Sequence, residues 1–353
     1  MFKVIRLLPR KNFARVYSQN AKFHQIQEAS KTVDPFSKIK IKCSASATVR
    51  PIDLFDCPGS DKLRVFAYST AGGGNSEIDI KGDEKNVEVS ARDKLGAKED
   101  IKFIFEVPVK CNLEITAGKD VSIAEMYSDY IDVKSQKDIF TKNLRGTSIE
   151  LLSQEGNITC DGLTLAQEIK IQTNDRGNIH LNKVQGDALT CVSSKGNIST
   201  NSCYTEVSKF TTLTGTLNLK NVHKQATVYV LEEGDINMTG IHGNLLIKAN
   251  GGNLNLQFSE VMDDSIIMSN DSKNVSINIS DLVEENCFIE LNSDEIILEE
   301  TASHLKDSLQ GNKFRLGNGD SKNKLLVSVT GKLALGKLSW ADSLKSSLGF
   351  KDL

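Results

Sequence analysis

The sequence predicts an all-β protein. Its fold class is a parallel β-solenoid, a single stack of coils of about 19–20 residues each, with a β-rich N-terminal cap. Three observations predict it. First, a short phrase recurs as Gly156-Asn157-Ile158, Gly177-Asn178-Ile179, Gly196-Asn197-Ile198, Gly215-Thr216-Leu217, Gly234-Asp235-Ile236 and Gly252-Asn253-Leu254. Second, the middle residue of each phrase, here termed the anchor, advances by 21, 19, 19, 19 and 18 residues. A fixed period near 20 marks a repeat architecture. Third, positions plus one and plus three after each anchor are apolar, the period of two of a half-buried strand.

The chain divides in order. Residues 1–27 contain Lys3, Arg6, Arg10, Lys11, Arg15 and Lys22 and no acid; Glu28 is the first. The apolar residues there are interrupted by charge, so no secretory core forms, and an acid-free, Arg-rich amphipathic start predicts a mitochondrial transit peptide. Arg15-Val16-Tyr17-Ser18 resembles a matrix-protease cleavage site. No stretch reaches 18 apolar residues, so no transmembrane helix is expected. All five prolines, at 9, 35, 51, 58 and 108, precede the first clear anchor. Residues 37–115 alternate without the period of 20, as in Ile39-Lys40-Ile41 and Ile101-Lys102-Phe103, and are expected to cap the first coil.

The coils proper are expected over 116–337. Weaker anchors extend the phrase upstream to Asp120 and Asp138 and downstream to Asn274, Glu295, Lys313 and Lys332. Plus one reads Val121, Ile139, Ile158, Ile179, Ile198, Leu217, Ile236, Leu254 and Val275; plus three reads Ile123, Thr141, Cys160, Leu181, Thr200, Leu219, Met238, Leu256 and Ile277. Plus six adds Met126, Leu144, Leu163, Val184, Cys203, Val222 and Ile241, and lapses at Ser259. The Gly-Asn pair is read as a turn whose residues tolerate positive φ. A second short strand precedes each turn, such as Ile169-Lys170-Ile171. One coil cannot bury its own apolar face, but coils stacked about 4.8 Å apart can. A leucine-rich repeat is the alternative; Ile169-Lys170-Ile171-Gln172-Thr173-Asn174 imitates part of its motif, but the other copies lack the Asn. In 338–353, Trp340, Leu344 and Leu348 recur every four residues, which predicts an amphipathic helical cap.

Phe103-Ile104-Phe105-Glu106-Val107-Pro108, then Leu113-Glu114-Ile115-Thr116-Ala117-Gly118, then Asp120-Val121-Ser122 and the Gly-Asn-Ile turns resemble the "putative adhesin" β-solenoid domain, a domain of unknown function. The resemblance spans roughly 100–300. Together with the basic start, the whole chain is similar to uncharacterised mitochondrial-type animal proteins carrying that domain. The resemblance implies the fold and supplies no catalytic residues.

Candidate chemistry is sparse. Net charge is −3, which excludes a global electrostatic footprint for nucleic acid. The seven cysteines contain no Cys-x-x-Cys pair; Cys160, Cys191 and Cys203 fall on inward phases and read as small apolar residues. A carbohydrate- or lipid-directed enzyme on a β-helix would need paired carboxylates. Asp120, Asp138 and Asp235 are turn anchors interchangeable with Asn, and Glu232-Glu233 and Glu284-Glu285 read as solvated charge, so no catalytic residue, cofactor or metal site is assigned. The outward plus-two column, Ser122, Thr159, His180, Ser199, Asn218, Asn237, Asn255 and Ser276, is expected to hydrogen-bond along the stack. One column exceeds structural need. Plus seven reads Tyr127, Arg145, Thr164, Gln185, Tyr204, His223 and His242, residue types with apolar area and a polar tip. Tyr127, Arg145, Gln185, Tyr204, His223 and His242 are the candidate partner-binding stripe. The expected function is a non-enzymatic interaction or scaffold protein of the mitochondrial matrix with an unidentified protein partner. Asn-x-Ser/Thr triplets begin at Asn157, Asn197, Asn237, Asn270, Asn274 and Asn278 and are expected to carry no glycan in that compartment.

Overall fold

The computed structural model describes residues 23–70, 76–94 and 101–338. The cleavage site at Arg15–Ser18 and the helical cap built on Trp340, Leu344 and Leu348 lie outside the described residues. The fold is a long β-solenoid with two sheet faces whose strands pair largely in parallel from coil to coil. In one coil, 158–165 lies on the first face and 168–173 on the second, both inside the continuous bent strand Ile158–Thr173. Ile179–Ser193, Ile198–Thr214, Leu217–Glu233 and Ile236–Asn250 repeat it.

The alternation places the core. Val121, Ile139, Ile158, Ile179, Ile198, Leu217, Ile236, Leu254 and Val275 stand in one register column, and all are buried. The plus-three residues from Ile123 to Ile277 form the second column. Plus six follows the same rule with two corrections. Asp161-Gly162-Leu163 bulges, so Thr164 rather than Leu163 takes the buried place and pairs with Val184. Five coils later in the stack, the lapse at Ser259 is a one-residue slip, and buried Phe258 pairs with Ile241.

The Gly-anchor corner is built differently from its sequence reading. Gly156, Gly177, Gly196 and Gly234 do not need positive φ, because only Gly215 and Gly252 among the six phrases adopt it. What they need is room. A Cβ on Gly177 would sit 2.0 Å from the Gly156 carbonyl oxygen, and one on Gly196 would sit 2.0 Å from that of Gly177. The anchor then supplies an acceptor. Asn157 N–H donates to Asp138 Oδ1 (2.7 Å), Asn178 N–H to Asn157 Oδ1 (2.9 Å) and Asn197 N–H to Asn178 Oδ1 (2.8 Å). Thr216 N–H donates to Asn197 Oδ1 (2.8 Å). Asp and Asn interchange because each offers that oxygen. Beneath the corner runs a buried hydroxyl column with no apolar signature. Ser153 Oγ donates to the Lys137 carbonyl (2.7 Å), Thr173 Oγ1 to that of Gly177 (2.8 Å) and Ser193 Oγ also to that of Gly177 (3.0 Å).

Both ends of the stack depart from chain order. Lys38–Cys43 pairs in parallel with both Asn86–Asp93 and Asn112–Ala117, and Ser46–Pro51 pairs with both Ile101–Val107 and Val121–Ala124. The region 37–115 therefore contributes coils of the stack as well as its end. The end itself is antiparallel: Ser76–Gly82 on Asn86–Asp93, and His24–Thr32 on Lys62–Ser69 on Ile101–Val107. The far end repeats the device. Lys324–Val329 lies between Asp264–Asn270 and Phe288–Asn292, and Lys332–Lys337 between Asn274–Ile279 and Glu295–Leu298. The anchors Asn274, Glu295, Lys313 and Lys332 are thus not successive coils. Lys332 stacks between Asn274 and Glu295, and Lys313 starts an antiparallel strand on Phe288–Asn292. Antiparallel closure and the short helix Glu300–Ser308 cover edges that would otherwise template another chain. Glu284, read as solvated charge, instead lies in the helix Asp281–Asn286 and binds Lys337 (2.7 Å) and His304 (3.0 Å). Burial pushes its carboxyl up, but those two partners outweigh it and hold the group below the usual value.

Candidate functional site

The stripe lies where the long strands bend from the first face to the second. Its members are in register: Tyr127 bridges Arg145, Gln185 pairs with Tyr204, and His223 with His242. Arg145 pairs with Leu165, and Leu165 with Gln185, so Leu165 replaces Thr164 in the column. The bulge at Asp161–Leu163 causes the one-residue slip. It is set by Gly162, whose φ is +69° and whose added Cβ would meet Asn143 Oδ1 at 2.2 Å.

Coil spacing turns the side chains into a stack of rings. The Tyr204 and His223 rings lie 4.4 Å apart, and the His223 and His242 rings lie 4.7 Å apart and almost parallel, at 3°. The column then ends on an acid, because His242 pairs with Glu260. Arg145 sits over Tyr127, 5.3 Å from the ring centre, and Lys183 lies 5.9 Å from that of Tyr204. Tyr204 remains 42% exposed.

A groove of about 760 Å³ opens beside the ring stack. Tyr204, His223 and His242 form its floor, and Glu206, Val207, Lys224, Glu260, Met262 and Asp263 surround it. Val207 and Met262 are 45% and 48% exposed, large apolar areas at a corner where neighbouring coils carry Gln225 and Asn244. That contrast is the sequence signal for the groove, and inspection of the plus-seven column alone misses it. The corner is tight. Lys224 and Asp263 take left-handed φ of 60° and 59°, and a Cβ on Gly243 would meet the Lys224 carbonyl at 2.1 Å.

Electrostatics make the floor neutral. Burial pushes the His223 imidazole below its usual value, and neighbouring His242 pushes it further. Burial lowers His242 as well, against the opposing pull of Glu260. Both rings are therefore neutral near pH 7, each offering one donor and one acceptor. Lys224 pairs with Glu206, and Lys322 with Asp263 (3.3 Å). Among the described residues Glu260 takes part in no ion pair. Parallel imidazoles aim their ring-plane lone pairs side by side, whereas a zinc ion needs them to converge at about 2.0–2.1 Å. Among the described residues no group of three or more His, Cys, Asp or Glu is placed to hold a metal ion.

The remaining candidates resolve as structure. All seven cysteines are buried free thiols, and burial pushes Cys43 up to about 12 and Cys160 up to about 11. Such thiols are not nucleophiles at neutral pH. Burial likewise raises the Asp120 carboxyl, and Asp120 Oδ1 accepts from Asp138 N–H (3.2 Å) as a member of the anchor ladder. In the plus-two column His180 Nδ1 meets Ser199 Oγ at 2.9 Å, and Asn237 Nδ2 donates to Asn218 Oδ1 at 3.0 Å. Among the described residues no helix is long and apolar enough to cross a membrane.

Residues 166–292 match the family model described as Toastrack DUF4097. The chain is also similar to solved structures from bacteria. One is titled a putative adhesin from Bacteroides fragilis, at 14% identity over 64% of this chain and 95% of that one, with a TM-score of 0.37. A second, a putative adhesin from Parabacteroides merdae, is 12% identical over 91% and 98%, with a TM-score of 0.36. A third, a putative cell adhesion protein from Clostridium sporogenes, is 10% identical over 88% and 99%, with a TM-score of 0.22.

Proposed function

We propose that this Toastrack-type β-solenoid is a non-enzymatic interaction protein whose recognition surface is the ring-lined groove at the bend of its long strands. The observation that carries the reading is the run Tyr204, His223 and His242 with exposed Val207 and Met262 beside it. A corner of a solenoid needs none of these residue types for stacking. Aromatic and amphipathic side chains beside apolar area are what binding surfaces concentrate. Titratable groups elsewhere include turn acceptors such as Asp138, paired surface charges such as Lys170–Glu168 and buried thiols, which supports binding over catalysis.

The proposed compartment is the mitochondrial matrix. The acid-free basic run 1–27 supports it, and seven unpaired buried thiols suit a reducing environment. One experiment addresses the groove: a pull-down from mitochondria with the wild-type chain and with Tyr204→Ser, His223→Ser and His242→Ser combined. The triple variant is expected to melt like the parent and to lose the partners. A partner list unchanged by the three substitutions contradicts the reading. Location is tested by the N-terminal residue and glycan content of the native protein, expected at Ser18 and zero.

A further inference from the structure

We infer that the groove takes a cationic side chain, an arginine or lysine presented by a basic peptide segment of the partner, seated on Glu260 beside His242 and Met262. This deepens the reading above and rests on it. Charge complementarity carries the inference. The other two acids of the groove already have cations, Lys224 for Glu206 and Lys322 for Asp263. Glu260 is half-buried, stands next to His242 in the stripe, and has no ion-pair partner among the described residues. A partly buried carboxylate without a counter-charge is a site for one, and guanidinium fits it in a two-pronged geometry.

The surroundings point the same way. Neutral His223 and His242 add no positive charge to the floor. The walls are rich in acceptors, with the carboxylates of Glu206, Glu260 and Asp263 and the amide oxygens of Gln225 and Asn244. An anionic ligand would face those carboxylates. Val207 and Met262 give an apolar bed for the alkyl stem of a long basic side chain, which prefers to bury its methylenes while its head stays polar.

The chain has five histidines, and His24, His180 and His304 lie away from the groove. Imidazole proton NMR on the full chain therefore carries its own controls. The probes are an acetylated, amidated peptide of Gly-Leu-Arg-Leu-Arg-Gly and its Gln-for-Arg and Glu-for-Arg counterparts, with a neutral chitin hexasaccharide as the sugar arm. The Arg peptide is expected to shift His223 and His242 and not the other three. Glu260→Gln should weaken it about tenfold, the scale of one hydrogen bond to a charged group, and Glu260→Asp should restore most of the affinity. Equal binding of the Gln peptide, or undiminished binding to Glu260→Gln, overturns the inference. A sugar that shifts the two histidines where the Arg peptide does not also overturns it, and leaves the groove as a binding surface. Silence of both histidines to every probe overturns it too. The groove reading itself falls only if the triple-serine chain also keeps its partners.

Discussion

At the scale of single residues, the anchor oxygen and the glycine before it carry the fold more specifically than the apolar columns do. Asn178 accepts the Asn197 N–H at 2.8 Å. Asn178 Nδ2 also donates to Asn157 Oδ1 at 3.2 Å. Asn178→Ala loses both bonds and is expected to cost about 1–2 kcal/mol, while Asn178→Asp keeps the acceptor, as Asp138 and Asp235 do elsewhere, and should cost less. Gly177→Ala should cost more, because its Cβ would lie 2.0 Å from the Gly156 carbonyl oxygen of the preceding coil. Thermal melts of the three variants check the order. Ile179 is 1% exposed at the centre of the first column. Ile179→Asp buries an unpaired charge, and a loss above about 4 kcal/mol is expected; a soluble, normally melting Ile179→Asp protein contradicts the register. The two groove histidines make stability depend on pH. Their folded values are depressed below 6.5. The unfolded chain therefore binds more protons than the folded one in the window just below pH 6.5, and stability rises with pH there. Melting temperature should fall as pH drops through that window, and His223→Gln with His242→Gln should flatten the fall. An unchanged slope contradicts the assignment of neutral rings.

At the scale of elements, the middle of the stack was legible and its ends were not. The phrase at 156–254 repeats because each coil meets a copy of itself above and below, so one set of steric and hydrogen-bonding demands is written again and again. The stripe Tyr127, Arg145, Gln185, Tyr204, His223 and His242 was readable for the same reason, and it slipped only where the bulge at Gly162 added a residue. The buried hydroxyls of Ser153, Thr173 and Ser193 left no hydrophobic signal, since their place is set by the corner carbonyls they bind. Pairing at the ends is non-local, and no period records that Lys332–Lys337 stacks between Asn274–Ile279 and Glu295–Leu298. That interleaving gives a prediction. Truncation before Lys324 removes an inner coil, not a terminal one, and should abolish soluble folded protein. A truncated chain that melts near the parent temperature contradicts the threading.

At the scale of the whole molecule, the solenoid is closed by antiparallel strands at both ends and offers its irregular chemistry at one bend. The flat faces carry paired charges, such as Lys170–Glu168, and polar columns hydrogen-bonded along the stack. The groove keeps an unpaired carboxylate, neutral rings and bare apolar area together. The most direct test of that division is site-specific photocrosslinking in intact cells. A benzoylphenylalanine is placed at Met262 on the groove or at Tyr229 on a flat face, and the adducts are identified at peptide resolution. The account predicts adducts at the Met262 position that fall on an arginine- or lysine-bearing segment of one partner, with none above background at the Tyr229 position. Equal labelling from both positions, or Met262 adducts on segments without basic residues, contradicts it.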